Sequence, residues 1–200
     1  MNKTQASFYQ ANGPTHATFY LVNQVLDHLQ PHQRVLELGC GGGEALWQIL
    51  QHRGDVQVAG IEREAELAKL ARSRLPEGVI TTADIRQWAS FSHRGSYDHV
   101  LCNPPFWPVG KGRLPVDPLR AASRFELHGG VEDFIQAAVH MLRVGGWLHM
   151  IHLETREEEV IHALGQHGLT IHQIRHQEGG GRRGVLWVLL RACKEAEIAG

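Results

Sequence analysis

The strongest constraint in this 200-residue sequence is a short apolar segment that runs directly into a cluster of glycines. Residues 34–38 have the composition of a buried strand, residues 39–43 contain four glycines, and residues 44–51 then show helical spacing. A strand, a glycine turn and a helix bring backbone N–H groups and a helix N-terminus close to a ligand. The pattern predicts an α/β fold with a ligand site at the carboxyl end of the first strand.

The same alternation of strand and helix continues along the chain. Further strands are predicted at 56–61, 78–82, 97–102 and 147–153, and further helices at 15–29, 64–75, 131–142 and from 155 to 165 or 168. Two β-rich runs, 170–176 and 184–192, predict a terminal hairpin with one reversed strand. We expect an α/β, Rossmann-like fold with a seven-stranded, mostly parallel sheet, one antiparallel strand and helices on both faces.

Local signals predict where several of these elements begin and end. Thr15 and Thr155 are predicted caps, and Gly145-Gly146 is predicted to end the helix before the fifth strand. In the first helix, Phe19 is among the apolar positions that recur at helical spacing. Residues 1–200 are predicted to form a single domain, with an N-terminal helical extension at 1–30 and a loop on the substrate side at 107–130.

Composition limits the classes of function. No apolar run approaches the ~20 residues of a membrane helix, and the first residues do not form a secretory signal. The three cysteines are widely spaced with no paired motif, which predicts a reducing cytoplasm. The formal net charge of −1 permits only a local basic patch for nucleic acid. The 14 histidines lack ligand spacing, so no metal is predicted.

Residues 103–106, Asn-Pro-Pro-Phe, follow the predicted fourth strand and should therefore lie at the ligand-binding edge of the sheet. Each proline fixes φ and removes a backbone N–H, which leaves acceptors and an aromatic face. Such a rim suits a planar amine, whose two hydrogens need acceptors and whose ring needs a flat surface. The plainer alternative is a turn that merely ends a strand.

Two acidic residues follow neighbouring strands of the predicted sheet. Glu62 can accept hydrogen bonds from ribose hydroxyls, and Asp84 can accept from the amino group of an adenine. A dinucleotide dehydrogenase has a similar glycine turn and acidic residue. Its G-x-G-x-x-G spacing is absent here because Glu44 occupies the last position, so the dehydrogenase is the lesser alternative.

Together these motifs resemble the class I methyltransferases that use S-adenosylmethionine. The resemblance covers nearly the whole chain and implies the strand order 3-2-1-4-5-7-6. It implies that the catalytic residues are Asn103, Pro104, Pro105 and Phe106. It also implies S-adenosylmethionine as cofactor, with S-adenosylhomocysteine as product, bound by Glu37, Gly39, Cys40, Gly41, Glu62, Asp84, Ile85 and Asn103.

Three further segments narrow the resemblance. Residues 123–134, the Gly145-Gly146-Trp147 turn and the arginine-bearing glycine segment before Val185 are similar to the family that methylates an exocyclic adenine amine beside the anticodon of valine tRNA. Phe106 stands where that family usually has tyrosine. The resemblance implies adenine N6 in tRNA as the target.

Basic residues near the expected substrate side suggest phosphate contacts. They are Lys111, Arg113, Arg120, Arg124, Arg182 and Arg183. For any one of them, an ordinary solvated loop position is the alternative.

Other acceptors stay open: a guanine N2 amine in rRNA, or the glutamine amide of a release factor. Enzymes of the glutamine type resemble longer chains with an N-terminal helical domain, for which the first 30 residues leave little room. A cofactor-binding subunit without catalysis is a further alternative, which the intact Asn103 and Phe106 oppose. An activating protein partner and the oligomeric state also stay open.

Overall fold

The computed structural model describes residues 16–179 and 185–196, and its centre is a seven-stranded sheet. The strands are β1 Arg34–Leu38, β2 Gln57–Glu62, β3 Val79–Thr82, β4 Tyr97–Cys102, β5 Leu142–Leu153, β6 Leu169–Gly179 and β7 Val185–Lys194. The α-helices are α1 His16–Leu26, α2 Glu44–His52, α3 Ala65–Arg74, α4 Pro118–Ala122, α5 Val131–Met141 and α6 Glu157–Gln166. Short 3₁₀ turns lie at Ile85–Ser90 and Glu154–Arg156.

The predicted topology is confirmed. The strand order is β3-β2-β1-β4-β5-β7-β6. The first five strands of that order are parallel, and β7 is antiparallel to both of its neighbours. The carboxyl ends of β1, β2 and β4 therefore meet at one edge of the sheet, as the glycine turn and the Asn-Pro-Pro-Phe loop require.

The sheet is covered on both faces because successive strand residues point to opposite sides. In β1, Leu36 and Leu38 join a core that includes side chains of α5 and α6. Val35 joins a second core with side chains of α1, α2 and α3. Burial on both faces explains why the central strands read as nearly continuous apolar runs.

Three local predictions are wrong. Phe19 was predicted to lie on the apolar face of the first helix, but it is 51% exposed. Leu21, which was not among the predicted positions, is buried instead. The helix α5 ends at Met141, and Gly145-Gly146 lie inside β5 near a register shift in its pairing with β4. A Cβ on Gly146 would lie 3.0 Å from the Tyr97 carbonyl oxygen, so this glycine permits a close approach of two strands.

The third wrong prediction concerns the start of α6. The residue before the helix is Arg156, Thr155 lies in the preceding 3₁₀ turn, and no side chain caps the helix. The predicted cap Thr15 lies outside the described residues. The segment 107–130 also contains α4, which begins after Asp117, whose carboxylate accepts a hydrogen bond from the Arg120 amide at 2.9 Å. In the described part of the chain, none of the helices combines the length and apolarity needed to cross a membrane.

Candidate cofactor and substrate cleft

A cleft of about 710 Å³ opens at the carboxyl edge of the sheet. Its lining includes most of the residues predicted to act there: Glu37, Gly39, Cys40, Gly41, Glu62, Asp84, Ile85, Asn103, Pro105, Phe106, Arg120 and Arg124. Pro104 is buried and does not line the cleft, and Lys111 and Arg113 are exposed outside its lining. Arg182 and Arg183 lie outside the described residues.

Glu62 fixes the conformation of the glycine turn. One carboxylate oxygen accepts a hydrogen bond from the Gly41 amide at 2.8 Å, and the other accepts from the Glu64 amide at 2.8 Å. Burial raises the pKa of Glu62, although these backbone hydrogen bonds oppose the shift. Since a carboxylate has about four acceptor sites, Glu62 keeps capacity for hydroxyl groups of a ligand in the cleft.

Glu37 brings a second buried carboxyl group to the same cleft. Glu37 is 7% exposed, and its Oε2 atom has no hydrogen-bond partner among residues 16–179 and 185–196. Burial, followed by the nearby charge of Glu62, raises the pKa of Glu37 well above its usual value. A buried oxygen without a partner calls for a donor, and the ammonium group of an amino-acid ligand meets that need.

The glycine turn is packed tightly from behind. Gly43 has φ 76°, and a Cβ there would lie 2.8 Å from Leu75 Cδ1. A Cβ on Gly39 would lie 3.4 Å from Phe134 Cε1 of α5, so the turn rests on two helices. The Cys40 thiol packs toward Gly60 of β2, and burial raises its pKa, which keeps the thiol protonated.

Asp84 and Ile85 form the next wall of the cleft. The Asp84 carboxylate accepts from the Arg86 amide at 3.0 Å and from the Arg86 guanidinium, and these bonds lower its pKa. Asp84 is therefore an ionised cap of the 3₁₀ turn with part of its acceptor capacity in use. Ile85 is 7% exposed and supplies an apolar surface.

Three residues of the Asn-Pro-Pro-Phe loop, Asn103, Pro105 and Phe106, line the same cleft. The Asn103 side chain is half-buried, and its amide makes no hydrogen bond within the described residues. The Phe106 ring contacts His152 edge-on, with centroids 5.3 Å apart. His152 is completely buried, and burial lowers its pKa to about 4, so the loop rests on a neutral ring at neutral pH.

Two residues of the site were not predicted from the sequence. Trp107 lines the cleft with 45% of its surface exposed, and its amide donates to the Arg124 carbonyl at 2.9 Å. Arg156 donates to the Phe106 carbonyl at 3.0 Å. Only their positions in the sequence could have indicated that they belong to the site. Trp107 directly follows the Asn-Pro-Pro-Phe loop, and Arg156 lies three residues beyond the end of β5.

A group of possible metal ligands lies elsewhere. His172, Cys193 and Glu195 bring ligand atoms within 4.8 Å of one another. Cys193 pairs with Trp147 in the middle of β5, and none of the three residues lines the cleft. Burial, followed by the nearby charge of Glu195, raises the pKa of the Cys193 thiol, and the positive charges of Arg143 and Arg191 oppose that shift. Two nearby positive charges disfavour a cation there.

The strand order and the position of the cleft are those of the class I methyltransferase fold. Residues 3–178 match the family model described as methyltransferase small domain, so the chain belongs to that family.

Two named relatives match most of this chain. The chain is 28% identical over 188 residues to a release factor glutamine methyltransferase of Aliivibrio fischeri. This match covers 88% of this chain and 66% of the relative. A Salmonella typhimurium protein of the same name is 27% identical over 179 residues, 85% of this chain and 65% of the relative. The chain thus spans about two thirds of the length of these relatives. Among solved structures, TrmN from Thermus thermophilus has a TM-score of 0.65 at 22% identity, covering 88% of this chain and 48% of that one.

Proposed function

We propose that this methyltransferase acts on an exocyclic amine of a nucleobase, and that adenine N6 in tRNA is its main target. The observation that carries the proposal is the Asn103 side chain, which lines the same cleft as the glycine turn and has no hydrogen-bond partner in the described structure. An amide oxygen without a partner has both of its lone pairs available to an incoming amine.

The residues of the cleft fit S-adenosylmethionine. Glu62 would accept hydrogen bonds from the ribose hydroxyls, Glu37 would accept one from the ammonium group, and Ile85 would pack against the adenine. Asp84 would accept from the adenine amine with the capacity that Arg86 leaves. When bound, the cofactor supplies a methyl group on a positively charged sulfur.

The acceptor loop addresses the weak nucleophilicity of an adenine amine, whose lone pair is delocalised into the ring. The Asn103 side-chain oxygen would accept one of its two hydrogens and align the lone pair with the methyl group. The Pro104 carbonyl would accept the other hydrogen only after a shift of the loop, because Pro104 is buried outside the cleft lining. Phe106 would stack on the base, which contributes ~1–3 kcal/mol, comparable with the few kcal/mol needed to extrude a base. Pro105 keeps the loop stiff.

The surroundings of the cleft favour RNA as the source of the base. Residues 107–124 contain four basic residues and one acidic residue, whereas the whole chain has a formal charge of −1. Arg120 and Arg124 are exposed at the cleft, and Lys111 and Arg113 continue the positive surface outside it. Arg182 and Arg183, which lie outside the described residues, are further candidates for the same contacts. Such a distribution suits phosphate contacts.

A glutamine amide is the second candidate acceptor. It also presents a planar NH₂ group to Asn103, and two relatives that match most of this chain are release factor glutamine methyltransferases. A guanine N2 amine in rRNA would use the same acceptors.

One experiment separates these possibilities. The protein is incubated with labelled S-adenosylmethionine and, separately, total tRNA, rRNA, DNA and release factor, and labelled nucleosides or residues are then identified. The proposal predicts N6-methyladenosine in tRNA. Label in release factor or in rRNA guanine would replace it with the corresponding alternative. Cofactor binding without transfer, even after addition of cell extract as a source of an activating partner, would indicate a non-catalytic subunit.

A further inference from the structure

Arg156 joins the acceptor loop to a neighbouring segment of the chain. Its Nη1 atom donates to the Phe106 carbonyl at 3.0 Å and to Glu126 Oε1 at 2.7 Å. Its Nε donates to Glu159 at 2.9 Å. The Arg156 and Glu126 side chains are only 13% and 16% exposed. Three partners hold the guanidinium plane in one orientation, because its donors form a rigid fork.

The Glu126 carboxylate can reach Arg156 because it packs against Gly130, which has no side chain. A Cβ on Gly130 would lie 3.0 Å from Glu126 Cδ, so a side chain there would displace the carboxylate. Gly130 directly precedes α5, which carries Phe134 beneath Gly39 of the glycine turn. The contacts therefore run from the acceptor loop through Arg156 and Glu126 to the helix that supports the glycine turn.

The main chain adds a second connection beside the guanidinium. The Trp107 amide donates to the Arg124 carbonyl at 2.9 Å, and the Glu126 amide donates to the Trp107 carbonyl at 2.9 Å. Arg156 thus contacts the chain on both sides of this main-chain bridge. It donates to the Phe106 carbonyl, next to Trp107, and to the Glu126 side chain.

We infer that Arg156 is a positioning residue, which acts with Glu126 to hold the Asn-Pro-Pro-Phe loop at the distance and angle that methyl transfer requires. Arg156 does not line the cleft. Its effect should therefore fall on the rate of transfer and not on binding, whichever acceptor the enzyme uses. Only the kinetic part of the test rests on the proposed function.

The test compares Arg156→Gln and Arg156→Lys with the wild-type enzyme. A displacement of about 1 Å at the reacting groups can cost about 100-fold in rate. We expect kcat to fall by about 10- to 100-fold in Arg156→Gln, with less loss in Arg156→Lys, while KM for the acceptor and Kd for S-adenosylhomocysteine change by less than about threefold. Glu126→Gln, which keeps an acceptor oxygen, should retain more activity than Glu126→Ala.

Arg143→Gln is the matched control. Arg143 Nε donates to Asp98 at 2.7 Å, and its Nη1 donates to the Val144 carbonyl at 2.9 Å, but at the opposite end of β5. Its kcat should stay near wild type. Equal losses in both arginine variants would indicate general destabilisation and overturn the inference, as would a rise in KM or Kd with unchanged kcat.

Hydrogen exchange supplies a readout that does not need activity. In Arg156→Lys, the Trp107 and Glu126 amides should exchange at least about tenfold faster, while amides of β4 stay protected. Unchanged exchange at both amides would overturn the inference. If the wild-type protein methylates no nucleobase, the proposed function fails, and this measurement still decides the role of Arg156.

Discussion

The two sides of the cleft are held in place by different physical means. On the cofactor side, a turn with positive φ values is fixed by Glu62 and packed against the helices α3 and α5. On the acceptor side, the loop from Asn103 onward is held by Arg156 and a main-chain bridge, and it continues into exposed residues such as Val116, 95% exposed. Changes on the cofactor side should therefore cost stability and cofactor affinity. Changes on the acceptor side should cost activity while the fold persists.

Asn103→Ala should produce the largest difference between the loss of activity and the losses of stability and cofactor affinity. Loss of one precisely placed hydrogen-bond partner in a transition state costs about 100- to 1,000-fold in kcat. Because the Asn103 amide makes no hydrogen bond within the described residues, we expect the melting temperature to change by less than about 2 °C. Cofactor affinity, measured by calorimetry with S-adenosylhomocysteine, should stay within about threefold.

Asn23→Ala is the control for Asn103→Ala. Asn23 is exposed on α1 and donates only to its own helix, at the Phe19 carbonyl. It should retain full activity. An active Asn103→Ala enzyme would remove Asn103 from the reaction and with it the comparison between the two sides.

Gly43→Ala tests the cofactor side by stability. The added Cβ would lie 2.8 Å from Leu75 Cδ1 and 3.3 Å from the Ala71 Cα, in a residue with φ 76°. Left-handed backbone costs roughly 1–2 kcal/mol for a residue other than glycine, and overpacking adds about 1–3 kcal/mol. We expect a loss of about 2–5 kcal/mol in the free energy of unfolding, measured by urea denaturation.

Gly41→Ala separates the two causes of that loss. Gly41 has φ 52°, and a Cβ there would meet no atom of the described residues within 4 Å, so only the backbone cost applies. Its stability should fall by about 1–2 kcal/mol. Equal losses for Gly41→Ala and Gly43→Ala would show that packing behind the glycine turn contributes little.

Glu62→Gln should weaken cofactor binding by about 10- to 100-fold. A neutral amide replaces a charged acceptor of the Gly41 N–H and of the proposed ribose hydroxyls, and hydrogen bonds to charged groups contribute about 1.5–3 kcal/mol. Glu66→Gln is the control, because Glu66 is exposed on α3. Calorimetry with S-adenosylhomocysteine measures both. Equal affinity in the two variants would contradict the assignment of Glu62 to the cofactor.

The raised pKa of Glu62 adds a prediction about pH. The folded protein protonates this carboxylate at a higher pH than an ordinary glutamate. Because the ionised form is the better acceptor, cofactor affinity should fall as the pH is lowered through that raised pKa. Glu62→Gln should reduce this dependence, and Glu37, whose pKa is raised in the same direction, should account for the part that remains.

The difference between the two sides also explains what the sequence could predict. The glycine turn follows directly from local chemistry, because a strand, a cluster of glycines and a helix are adjacent in the chain. Glu62 was predictable from its position after the second strand. Arg156 was not, since its partners Phe106 and Glu126 are 50 and 30 residues away, and side-chain contacts at such separations leave no periodic pattern. The α4 helix escaped because five residues are too few for helical spacing to be recognised.

The smallest expected effect concerns the exposed arginines of the acceptor side. Each phosphate contact contributes about 0.7–0.9 to the slope of log affinity against log salt concentration. Arg124→Gln should therefore lower that slope for tRNA by about 1 and weaken binding by a few fold, and adding Arg120→Gln should lower it by about 1 more. Filter binding between 50 and 200 mM salt, roughly the range in which counterion release dominates, measures both.

Arg94→Gln provides the comparison for the arginines, because Arg94 is exposed before the amino end of β4, on the opposite edge of the sheet. It changes the net charge by the same amount as Arg124→Gln. If Arg94→Gln lowers the slope equally, the effect belongs to overall charge and not to a phosphate near the cleft. If only the Arg120 and Arg124 variants lower it, the acceptor side binds RNA with exposed charges while kcat depends on Asn103, so binding and chemistry are separable within one loop region.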